Sequence, residues 1–174
     1  MIFGLAVYHL FNVWTDVRYR KTKNMWHLLF LLIGMGAYYF QPSVIWWRPW
    51  VGAIITLLLG LIFEGMKFSS PGDTKMLIVS AIWIGTIFPS LSVYRVVLGV
   101  VLFHLSFFFV FSYISLIKKK GLKYALRSQI LNLKAMVLGL PLSNEKVVER
   151  FPGAITIALG SLFYYFLISG GASL

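Results

Sequence analysis

Two aspartates, Asp16 and Asp73, are the residues of this chain whose type and setting could do chemistry. The sequence holds five acidic residues among 174, and 59% of it is hydrophobic. A carboxylate in such surroundings is costly to accommodate and marks a functional site by default. Two carboxylates brought close together do not both ionise readily, so one remains a base while the other is held as an acid. Such a pair can deprotonate a water and protonate a scissile carbonyl. Spacing along the chain does not establish that Asp16 and Asp73 meet. Each could equally be a solvated interfacial charge at a helix end.

The elements that must position them are apolar runs separated by short basic segments, the pattern of an all-α, polytopic membrane helix bundle. The runs are apolar on both faces, which excludes a barrel of alternating strands. We expect about six transmembrane helices within a single membrane domain over 1–174. Ile2 to Trp14 opens the first, without the basic start or small-residue cleavage site of a signal peptide. Being shorter than the roughly 20 residues a span needs, it must run on through Asp16. Met25 to Phe40, Val51 to Met66, Met76 to Phe88, Val96 to Ile117 and Phe151 to Ile168 supply the rest. The fourth helix is expected to begin near Pro71 or Gly72, since proline suits a first turn. Trp46, Trp47 and Trp50 around Arg48 read as an interfacial aromatic belt. Between the last two spans, Leu122, Leu126, Ile130, Leu133, Val137 and Leu140 recur at three- and four-residue spacing, with Lys123, Arg127 and Lys134 off that stripe. Residues 121–139 therefore read as a basic amphipathic helix lying on anionic lipid.

Fourteen of the sixteen lysines and arginines fall in the Arg18 to Lys23 loop, beside the central turn (Lys67, Lys75) and between Lys118 and Arg150. The positive-inside rule puts those segments in the cytoplasm and both termini outside. Asp16 and Asp73 then share the cytoplasmic boundary of the cell membrane. The net charge of +11 is accordingly a topology signal, and a nucleic-acid partner is not expected. No cysteine is present, and His9, His27 and His104 are far apart in sequence, so no metal site is expected. Glu64 is a candidate substrate contact or a partner of Lys67 three residues on. His104, mid-span, is either a proton relay or an imidazole hydrogen-bonded to a neighbouring helix.

Ser70-Pro71-Gly72-Asp73-Thr74-Lys75-Met76-Leu77 resembles the Gly-x-Gly-Asp signature, followed by x-Lys-Leu-Leu, of the type IV prepilin peptidases. Asp16 with Arg18, Arg20 and Asn24 is similar to that family's first aspartate and its trailing residues. Arg150-Phe151-Pro152-Gly153-Ala154, running to Gly160, resembles the entry to its last span. The three matches stand in the family's order. Ser70 replaces the first glycine of the signature, Pro71 takes the variable position and Lys23 stands where proline is usual.

The resemblance implies an aspartic endopeptidase with Asp16 and Asp73 as the catalytic pair, supported by Ser70, Gly72 and Lys75 and with Asn24 a possible substrate contact. It implies pilin-like precursors as partners and removal of their leader peptides at the cytoplasmic face. Lacking cysteines, the chain corresponds to a short, peptidase-only form with no cofactor. Two other readings remain at this point: a proton- or cation-coupled transport component using Asp16 and Asp73, and a non-catalytic membrane assembly factor.

Overall fold

A computed structural model describes residues 1–19, 22–41, 45–66, 68–138 and 151–171. Arg20, Lys67, Leu140 and Arg150 lie outside them, as do the side chains of Leu133 and Val137, so the Glu64–Lys67 pairing and the far end of the amphipathic stripe do too. The described residues are helical, without a strand: α1 (Ile2–Tyr19), α2 (Asn24–Tyr39), α3 (Arg48–Gly65), α4 (Pro71–Ile87), α5 (Val93–Lys120), α6 (Leu122–Val137) and α7 (Gly153–Gly171).

Three helices, α3, α5 and α7, are long and apolar enough to cross a membrane. The sequence pattern predicts about six. The difference is one of length and polarity. At about 1.5 Å per residue, the 16 residues of α2 and the 17 of α4 fall short of a hydrocarbon core of about 30 Å. In α1, Asn12, Thr15, Asp16 and Arg18 interrupt the apolar run.

The chain divides into two compact units, Met1–Phe107 with Pro152–Leu174, and Phe108–Phe151. In the first, α4 is the central helix and packs on α2, α3, α7 and α1. It is apolar nearly all round because it is buried nearly all round: Met76, Leu77, Val79, Ile82, Trp83 and Ile84 are all core residues. Trp83 fits because two helices carry glycine where it lies. A Cβ on Gly4 would come within 2.6 Å of its ring, and one on Gly34 within 2.8 Å of Nε1. Its indole N–H donates to the Phe30 carbonyl at 2.9 Å. Gly60 of α3 likewise leaves room for the Thr74 side chain. Small residues at helix contacts of this kind are how membrane bundles bring backbones together.

These contacts also set the helix directions. Asp16 near the end of α1 and Asp73 at the start of α4 both meet the start of α7. Gly4 at the other end of α1 meets Trp83 late in α4, and the Phe88 ring packs at a tilt against Tyr165. So α4 and α7 run parallel, and α1 runs against both. At the end away from the aspartates, the Arg48 guanidinium donates to the carbonyls of Pro89 and Leu91 and ties the α4–α5 turn to the start of α3. Trp46, Trp47 and Trp50 are exposed beside it, as expected of an aromatic belt.

The second unit holds the later part of α5, together with α6. The two helices are separated by Gly121, whose φ of 86° is the left-handed value that ends helices at glycine. Ala125 and Ser128 are buried, while Leu122, Leu126 and Ile130 are exposed as a stripe. Helix α6 thus forms where the periodicity puts it.

Candidate active site

The local sequence at Asp73 builds a helix start. Ser70 is the N-cap of α4, Pro71 follows it, and Ser70 and Asp73 form a reciprocal capping box. The Asp73 Oδ2 accepts the Ser70 N–H at 2.8 Å and the Ser70 hydroxyl at 2.8 Å. Ser70 therefore does more than replace a glycine: it holds the carboxylate in one rotamer at the mouth of the bundle. The S-x-x-D spacing is the visible signal for this. Replacing Ser70 by alanine is expected to lower stability by about 1 kcal/mol, and by glycine only a few tenths, read as thermal unfolding in lipid. An alanine variant as stable as the parent would show that the cap contributes nothing.

Gly72 lies within the first helical turn. There its missing side chain makes room for a neighbour: a Cβ would stand 2.6 Å from the Thr22 hydroxyl. Lys75, one turn on, donates from Nζ to Asn24 Oδ1 at 2.8 Å, joining the starts of α2 and α4. Asp16, Thr22, Asn24, Ser70, Gly72, Asp73 and Lys75 together line one open pocket with about 550 Å³ of empty space.

The third participant is the N-terminus of α7. The Ala154 N–H donates to Asp16 Oδ2 at 3.3 Å, and Gly153 lies so close to the Asp73 carboxyl that any Cβ would overlap it. The two aspartates are thus brought together chiefly by a helix that begins between them, offering its free backbone N–H groups and positive dipole end to the carboxylate. Thr156 supports that turn: it donates to the Gly153 carbonyl at 2.8 Å and lies 3.0 Å from His104 Nδ1. With its proton on Gly153, Thr156 is the acceptor and His104 the donor. His104 is therefore the imidazole bonded to a neighbouring helix. Glu64 does not line the pocket. Its carboxylate accepts the Thr74 hydroxyl, so it joins α3 to α4 one position from Asp73.

Asp73 lies ahead of the apolar stretch of α4, and burial holds its carboxyl above the ordinary carboxylate range. The hydrogen bonds from Ser70 work in the opposite direction, and the nearby charges of Asp16 and Glu64 add to the rise. An acid whose folded pKa is raised favours folding at low pH, and that contribution is lost as pH rises through the folded value. Thermal stability of the parent relative to Asp73→Asn is thus expected to fall from about pH 4, where the unfolded carboxyl titrates near 3.8, up through the raised value. A pH-independent difference would contradict the raised affinity.

Sequence reasoning reaches Asp16, Asp73, Ser70, Gly72, Lys75 and Asn24, and the structure brings these six into one pocket. It does not assign Thr22, Gly153 or Ala154 to the site. The Pro152-Gly153-Ala154 helix start is visible in the sequence, but nothing in its spacing says which residues it will face.

The molecule is a helical protein with helices able to cross a membrane and a carboxylate pair at one end of its bundle. No protein-family model, curated protein or solved structure matches the chain.

Proposed function

We propose that this chain is a membrane aspartic endopeptidase of the prepilin-peptidase type, removing leader peptides from pilin-like precursors at the cytoplasmic face of the cell membrane. The observation that carries the reading is the convergence of Asp16 and Asp73 on the first turn of α7 within one open pocket. Asp73, with its raised proton affinity, acts as the acid that protonates the scissile carbonyl. Asp16 acts as the base on the attacking water. Asn24, held by Lys75, is positioned to hydrogen-bond the extended peptide.

The reading takes α1, α2 and α4 as short crossing helices beside α3, α5 and α7, six in all, in a bilayer thinned locally to match them. The outward faces of α1 and α2 support this: Phe3, Leu10, Leu28, Leu29, Leu32 and Ile33 are exposed, an arrangement suited to lipid. In α6, the exposed Leu122, Leu126 and Ile130 with Lys123, Arg127 and Lys134 form a surface for anionic headgroups. The basic loops and both aspartates face the cytoplasm, with the termini outside.

The test is co-expression with pilin-like precursors and electrophoresis of the products. Membranes carrying the chain shorten a precursor that control membranes leave intact. Failure to shorten every precursor type offered, by protein shown to be folded in the membrane, rejects the assignment.

A further inference from the structure

The buried face of α1 is more polar than a bundle core requires. Its inward positions are Leu5, Tyr8, His9, Asn12 and Thr15, followed by Asp16 at the pocket. His9 is 2% exposed, and neither ring nitrogen has a hydrogen-bond partner. Its neighbour Tyr8 is satisfied differently, its hydroxyl lying 2.7 Å from His27 Nδ1. An imidazole has one N–H and one lone pair whatever its tautomer. Leaving both unmet in a buried site is a substantial penalty, and natural proteins meet such groups with internal water.

The helix directions identify what stands opposite. His9 precedes Asp16 by seven residues, two turns, or about 10 Å along the axis. The same distance from Gly153 along the oppositely directed α7 reaches Gly160 and Ser161, and from Asp73 along α4 it reaches Ser80. Ser161 is fully buried, and its hydroxyl also lacks a partner. Ser80 donates to the Met76 carbonyl and keeps acceptor capacity on its oxygen. Two independent orphaned groups, on two helices that pack together, thus lie at one depth in a core that is otherwise largely apolar.

We propose that the polar face of α1 carries a file of internal water from the aspartate pocket, past Thr15 and Asn12, to a hydration site between His9 and Ser161. The ligand is water, held by the imidazole and the serine hydroxyls. The file ends there. One turn further, α1 presents the fully buried Leu5, and Gly4 is closed against the Trp83 ring. The tract is therefore an interior store of water communicating with the pocket, and it does not lead through the bundle. This holds whether or not the aspartates cleave a peptide.

The absence of cysteine from the sequence permits a direct test on the full chain in phospholipid bilayers. His9→Cys, Ser161→Cys and the lipid-facing Leu10→Cys are treated with aqueous silver ion. Unreacted thiols are then alkylated after denaturation and counted by mass spectrometry. A thiolate forms only where water reaches it, so protection of His9→Cys and Ser161→Cys is expected at least about tenfold faster than that of Leu10→Cys. Either interior variant reacting as slowly as Leu10→Cys overturns the proposal. In the unsubstituted chain, the His9 ring N–H is expected to exchange with deuterated water before the His104 N–H bonded to Thr156, followed by nitrogen-15 imidazole NMR. Exchange at His9 no faster than at His104 overturns it as well.

Discussion

Replacing Asp73 by asparagine is expected to reduce leader removal by at least about 10²- to 10⁴-fold, the range by which a positioned acid or base accelerates a reaction. Asp16→Asn should cost a similar factor. The Asp16→Asn, Asp73→Asn double variant should be little worse than either single one, because residues that act as a unit lose their joint effect at the first removal. Asparagine keeps the size and much of the hydrogen-bonding capacity of aspartate, so the capping box at Ser70 and the contact with Ala154 have a partner in each variant. Thermal unfolding of Asp16→Asn should therefore stay near that of the parent, and that of Asp73→Asn should differ from it only by the pH-dependent contribution of the raised carboxyl, while rates of precursor shortening collapse. Additive losses, with the double variant slower by the product of the two factors, would mean that the carboxylates do not share one reaction.

Gly153→Val is expected to lower activity sharply by a different route. Any side chain at this position enters the space of the Asp73 carboxyl, and that carboxyl is held from its other side by Ser70. Either the carboxylate leaves its cap or α7 retreats from α4, and both outcomes separate it from Asp16. Overpacking of a well-fitted contact lowers stability by about 1–3 kcal/mol. The variant should remain folded but lose at least about 100-fold in rate, in line with what misplacement of a catalytic group by an ångström does. Gly153→Ala should fall between it and the parent. Gly36→Ala is the control, since a Cβ there meets nothing within 4 Å. Equal activity of Gly153→Val and the parent would show that α7 does not position the pair.

Much of this site is legible in the sequence. Asp73 can be placed at a helix start because Ser70, Pro71 and the acid at the third helical position are local signals, acting between residues a few positions apart. The amphipathic α6 is legible for the same reason: its stripe repeats with the helical period. The count of spans is less so. Apolar composition marks six runs, but α2 and α4 stop at 16 and 17 residues, because their ends are decided by turns and by neighbours as well as by hydropathy. Glu64 shows the same limit. Sequence spacing gives no sign of its contact with Thr74, which α3 makes across a helix packing opened by Gly60.

The sequence by itself determined that the chain is helical and apolar, where its basic segments lie, and which carboxylates must be accounted for. These follow from composition and from periodicities of a few residues. Only the tertiary structure decided that Asp16 and Asp73 share a pocket, that α7 begins between them, and that His9 and Ser161 lie at one depth in the core. Those facts depend on which helices pack together and in which direction. Packing is chosen by contacts such as Gly4 and Gly34 on Trp83, Gly60 on Thr74 and Gly153 on Asp73, each a fit between residues distant in the chain that no local pattern encodes.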